Sequence, residues 1–99
     1  MSNPQFYWYP ISRKMIENIK VIENEKSVQA IVFTNAIYEA LEETAKLPQG
    51  DLRIRAINAI LINKTKTCEG VAQELFYEQR TINNWIRSFI KLVGRKAGY

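Results

Sequence analysis

The chain has 99 residues, 46% hydrophobic and 24% charged, the composition of one folded domain with a modest core rather than of a disordered tail. Histidine is absent and cysteine occurs once, at Cys68, so the commonest general base, the commonest metal ligand, a disulfide framework and a thiolate cluster are all missing. The net charge of +4 divides unevenly: residues 1–51 hold five Lys/Arg against seven Asp/Glu (−2), and residues 52–99 hold nine against three (+6).

Those counts predict a protein that is not an enzyme and needs no metal or cofactor, because no nucleophile, base and orienting group can be assembled. Cys68, beside a predicted helix start, reads as a small buried residue. No apolar run approaches the roughly 20 residues that span a bilayer, and no signal sequence is present, which predicts a location in the cytoplasm without membrane contact.

In chain order, the opening MSNPQFYWYP sets four aromatics, Phe6, Tyr7, Trp8 and Tyr9, between Pro4 and Pro10. The prolines argue against helix, and the rings are expected against the core or a second subunit. Ile11 to Asn24 reads as a helix, with Pro10 in its first turn and Ile11, Met15, Ile16, Ile19 and Val21 or Ile22 facing inward. Ser27 is positioned to cap the next helix, which runs to about Ala45. Its expected inner face is Val28, Ile31, Val32, Ala36, Ile37, Ala40 and Leu41, and its outer face Glu39, Glu42 and Glu43. Those acids read as a solvated surface, not a metal or catalytic cluster.

Leu47-Pro48-Gln49-Gly50 is the only stretch of consecutive breakers, with Asp51 as a cap after it. It divides the chain into an N-terminal support of residues 1–50, which includes the aromatic arm and a dimerisation surface, and a second unit of residues 51–99. That unit opens with a helix from about Leu52 to Asn63 that buries Ile54, Ala56, Ile57, Ile60 and Leu61. Lys64 and Lys66 follow in a polar turn. Thr67 can then cap a short helix with Glu69 in its first turn, where the helix dipole favours an acid. A tight turn leads to a longer helix from Gln79, with Ile82, Trp85, Ile86, Phe89, Ile90 and Val93 at the spacing of one buried stripe. Gly94 reads as its stop, and Tyr99 is expected to fold back on the core.

The predicted fold is therefore all-α: an N-terminal helical pair followed by a three-helix helix-turn-helix unit. On the last helix, the outer face carries amides and guanidinium groups, the side chains that read base edges bidentately in a major groove. Arg80, Asn83, Asn84 and Arg87 are the candidate base readers. Lys64, Lys66, Thr67, Gln79, Lys91, Arg95 and Lys96 are the candidate phosphate contacts on double-stranded DNA. One such module buries only roughly 600 to 1,000 Å², so a homodimer is expected, with half-sites about 34 Å apart.

The segment from Arg53 through GVAQELFYEQRTINNWIRSFIKLVGRKAGY, with the upstream FYWYP, resembles small phage and prophage proteins of Gram-positive bacteria in the RinA/ArpU-like group of late-transcription activators. The resemblance covers most of the chain. Its helix-turn-helix part is shared with many regulators and with the promoter-reading region 4 of sigma factors. It implies a sequence-specific DNA-binding activator of phage late genes, oligomeric, in the bacterial host cytoplasm. Where many such proteins have Gly in the turn this chain has Phe76, which predicts a wider turn. Where they often cap the recognition helix with Ser it has Glu78, an acid that would repel a phosphate unless Arg80 neutralises it. Two alternatives stand beside this expectation: an interaction module that binds host RNA polymerase or a sigma factor, and a small terminase-like packaging subunit.

Overall fold

The computed structural model describes residues 7–99, and every regular element among them is helical. Helix α1 spans Tyr9–Glu17, α2 Ile19–Ile22, α3 Val28–Ala45, α4 Gly50–Ile57, α5 Cys68–Leu75 and α6 Gln79–Lys96. A π-helical turn, Asn58–Ile62, continues α4. Part of the opening segment, including Phe6, lies outside the described residues.

Helix α6 is the axis of the fold, packing against α1, α3, α4 and α5. Its stripe serves two apolar clusters in succession. Ile82 and Trp85 join Ala56, Val71 and Ala72 in the smaller one. Ile86, Phe89, Ile90 and Val93 join the larger one with Ile16, Ile19, Ile22, Phe33, Ile37, Ile57 and Leu61. Each large side chain buried this way contributes about 1.5–3 kcal/mol of transfer free energy, so one helix carries much of the stability of both clusters. All six stripe positions expected from the spacing are buried.

Two caps sit where the sequence places them. Ser27 Oγ accepts from the Ala30 amide at 3.2 Å and starts α3, and Thr67 Oγ1 accepts from the Gly70 amide at 3.1 Å and starts α5. Pro10 falls in the first turn of α1. The expected continuous first helix is broken at Asn18, at φ −110° and ψ 20°, whose backbone amide is shared between the Lys14 and Met15 carbonyls while its side-chain amide also donates to Lys14 at 2.7 Å. Ile11, expected inside, is exposed, and Ser12 takes the inner position, donating its hydroxyl to the Ile90 carbonyl of α6 at 2.8 Å.

The inner face of α3 is the expected one in its second half, at Ala36, Ile37 and Ala40, and differs in its first turns. Ala30, Phe33, Ala36, Ile37, Ala40 and Thr44 are buried, while Val28, Ile31 and Val32 are exposed. Helix α4 begins earlier than Asp51 would allow: Gln49 holds the cap position in the left-handed region at φ 54°, and Asp51 lies in the first turn. A Cβ on Gly50 would come within 2.2 Å of the Ala45 carbonyl oxygen, so glycine is what lets α4 start against the end of α3.

Gly94 does not stop α6, which runs on to Lys96; Gly98, at φ 102°, follows the end. Gly94 is instead a packing position. A Cβ there would sit 2.1 Å from Cζ3 of Trp8, so the indole lies directly on the helix backbone. Tyr99 folds back as expected and stacks on Trp8 with ring centroids 5.9 Å apart, while its ring also approaches Phe33. The aromatic arm, expected against the core or a second subunit, thus turns Trp8 into the monomer's own core.

Candidate nucleic-acid interface

Helices α5 and α6 are joined by three residues, Phe76 to Glu78. Phe76 adopts φ 60°, ψ 39°, the left-handed conformation that glycine supplies in many such turns. The turn therefore stays tight instead of widening, and the phenyl ring, 95% exposed, projects from it. Tyr77 packs inward, its ring edge-on to Trp85 at 5.1 Å. On Trp85 the Arg53 guanidinium also rests, 5.3 Å from the ring centroid, while its Nε donates to the Pro48 carbonyl at 3.0 Å. Trp85 thus ties α4, the turn and α6 together, a packing role that leaves it unavailable to a base.

Glu78 takes the cap position of α6 but makes no side-chain cap hydrogen bond, and its carboxylate lies exposed at the helix start. Beyond it, Gln79, Arg80, Asn84 and Arg87 are exposed and Asn83 is half-buried. At 3.6 residues per turn Arg80, Asn84, Arg87 and Lys91 line up opposite the buried stripe, with Asn83 on its shoulder. From Arg80 to Arg87 the rise is about 10 Å, close to three base-pair steps of a duplex.

The start of α1 docks on α6 beside Ile90 and Gly94. The Tyr9 phenol is pushed up by burial, and Arg13 and Arg87 oppose the shift, which places both guanidinium groups within electrostatic reach of one ring. Arg13 is itself held by Glu17 at 3.1 Å. No periodicity in the chain announces this proximity, since residues 9 and 87 come near each other through the docking of Ser12 and Trp8 of α1 on α6.

The candidate phosphate contacts divide. Gln79, in the first turn of α6, and exposed Lys64, at φ 55° in the turn before α5, flank the helix pair. Thr67 uses its oxygen as acceptor in the cap, so its O–H remains a donor. Lys66 is engaged by Glu74, whose carboxyl this partner holds below the usual carboxylate range, with Arg55 adding to the effect. Arg55 and Lys66 also border a shallow groove of about 460 Å³ with Asp51, Asn58, Asn63 and Thr65, a grouping the spacing did not suggest. Lys91 is half-buried on the line of the stripe, and Arg95 is exposed near the helix end.

Lys96 departs from the expectation. Sixteen residues past Arg80, it has rotated about 160° around the helix. Its ammonium pairs with Glu43 of α3 at 2.6 Å, which raises its pKa, and Glu39, Glu42 and Lys46 stand around it. It faces an acidic surface, away from the stripe.

No family model, curated protein or solved structure matches this chain. Among the described residues no group of three or more acidic or cysteine side chains is placed to hold a metal ion, and no helix is long and apolar enough to cross a membrane.

Proposed function

We propose that the chain is a sequence-specific DNA-binding protein that regulates transcription, with α6 as the helix that enters the major groove. The observation that carries this reading is the outer stripe of α6. Arg80, Asn84 and Arg87, with Asn83 beside them, stand exposed on a helix whose opposite face is wholly buried, so a rigid rod presents bidentate donors and acceptors at base-pair spacing. Lys64, the Thr67 hydroxyl, Gln79, Lys91 and Arg95 supply the phosphate contacts that set register, and their contribution falls as salt rises. Activation of phage late genes is the biological role in keeping with the resemblance of the chain.

Selection of bound fragments from phage and host genomic DNA at two salt concentrations, read by sequencing, tests the reading. A recovered site should lose about 1–3 kcal/mol of affinity with Arg80→Ala or Asn84→Ala, with relaxed preference at the contacted base. Equal losses on specific and random duplex for every stripe substitution would remove base reading from α6.

One observation favours a second reading. Phe76, almost fully exposed beside the recognition helix, is an apolar contact suited to a protein surface such as host RNA polymerase. A salt-insensitive complex with polymerase, lost with Phe76→Ala and accompanied by no retention of duplex DNA, would replace the first reading with this one.

A further inference from the structure

We propose that α1 adds to the DNA interface through Arg13, whose guanidinium takes a backbone phosphate beside the base that Arg87 reads. The inference rests on the DNA-binding reading of α6 and names a second element of the same surface. Its basis is the way α1 lies on α6. Trp8 packs on Gly94 and Ser12 donates to the Ile90 carbonyl, so four residues forward along α1 are four residues back along α6. The two helices therefore run antiparallel, and Ile16 and Ile86 share a cluster where that register continues. Around α6, Gly94 lies seven residues past Arg87 (94 − 87), which brings it within about 20° of the same line, and Ile90 is about 60° from it. Helix α1 thus borders the exposed stripe along the edge that holds Asn83, on the other side of α6 from the place where Lys96 meets Glu43.

The rotation of α1 about its own axis selects Arg13. Arg13 follows Ser12 by one residue and turns about 100° to one side of the docked line, whereas Met15, one residue before Ile16, turns as far to the other. Met15 and Lys14 line a cleft with Ala30 of α3, so that flank of α1 faces α3. The Arg13 flank is left for the edge of α6, and the phenol of Tyr9, one turn before Arg13, feels the charge of both Arg13 and Arg87. Arg13 is exposed and pairs with Glu17 of its own helix at 3.1 Å. An exposed pair within one helix is weak, so a phosphate recruits the guanidinium at little cost.

Fluorescence anisotropy of the full chain on random duplex DNA over a range of salt concentrations tests the assignment, with thermal melting as the control for folding. Arg13→Ala should reduce the slope of log affinity against log salt by about 0.9, and Arg13→Lys should keep it, since one positive charge remains. Glu17→Gln should raise affinity about two- to fivefold at low salt by releasing Arg13. In the Glu17→Gln background Arg13→Ala should still reduce the slope by about 0.9. Loss of its effect there would mean that Arg13 only screens Glu17, and would overturn the proposal. Lys14→Ala removes the same charge one residue away, on the flank toward α3, and should leave the slope unchanged. An equal fall from Lys14→Ala, or none from Arg13→Ala, also overturns the proposal. A wild type that retains no duplex at any salt removes the DNA-binding reading and this inference together, whereas retention with a slope indifferent to Arg13→Ala removes this inference alone.

Discussion

At Gly94 helix propensity and tertiary packing demand opposite outcomes from one methyl group. In an exposed helix interior Gly→Ala stabilises by about 1 kcal/mol, because glycine loses more backbone entropy on folding. Here the new Cβ would lie 2.1, 2.4 and 2.9 Å from Cζ3, Cε3 and Cη2 of Trp8. Normal contact requires about 3.5 Å or more, so the ring must withdraw by about 1.4 Å. It has little freedom to do so, being 5% exposed and stacked on Tyr99. Overpacking of this kind costs about 1–3 kcal/mol, and displacement of the indole from its site approaches the upper end. The expected net effect of Gly94→Ala is destabilisation by about 1–2 kcal/mol, a fall in Tm of roughly 4–15 °C for a domain of this size. Thermal unfolding followed by far-ultraviolet circular dichroism measures it. The Trp8→Ala background sharpens the test: with the ring gone, Gly94→Ala should become neutral or stabilising, giving a coupling of at least about 1 kcal/mol. A higher Tm for Gly94→Ala in the wild-type background would refute the docking of Trp8 on α6.

Thr67→Ala removes the cap of α5 and should cost about 1 kcal/mol in denaturant unfolding, with Thr67→Ser close to neutral because its hydroxyl keeps the bond to Gly70. Phe76→Gly should raise stability by a few tenths to about 1 kcal/mol, since the relief of a left-handed side chain exceeds the extra chain entropy of glycine, and Tm reads the sign. Lys64→Ala should reduce the slope of log affinity against log salt on duplex DNA by about 1, equally for specific and random sequence, whereas Lys96→Ala, held by Glu43, should leave that slope unchanged. Fluorescence anisotropy titrations at four salt concentrations distinguish the two.

The chain by itself determined the helices whose signals are local. Ser27 and Thr67 announce their caps, because a hydroxyl three residues before an unpaired amide forms its bond without help from the rest of the fold. The stripe of α6 is legible for a related reason: charged and amide side chains fill the opposite side, so only one face can turn inward. With that face assigned, Arg80, Asn83, Asn84 and Arg87 fall on or beside its exposed counterpart.

Where local signals are degenerate, tertiary structure decided. Helix α3 has apolar residues on both sides of its first three turns, so periodicity cannot choose between Val28–Ile31–Val32 and Ala30–Phe33–Ala36–Ile37. Alanines allow close approach to α6 and Phe33 fills the space beside Tyr99, which settles the choice only once α6 is in place. Gly94 carries the same sequence signal whether it ends a helix or admits an indole, and Trp8, 86 residues away, distinguishes the two (94 − 8). Lys96 likewise looks like one more basic residue of the basic second half until α3 brings Glu43 to it. Caps and one-sided amphipathic stripes are written within a few residues because their partners lie within a few residues; face choice, close approach and charge pairing depend on contacts between segments far apart in the chain.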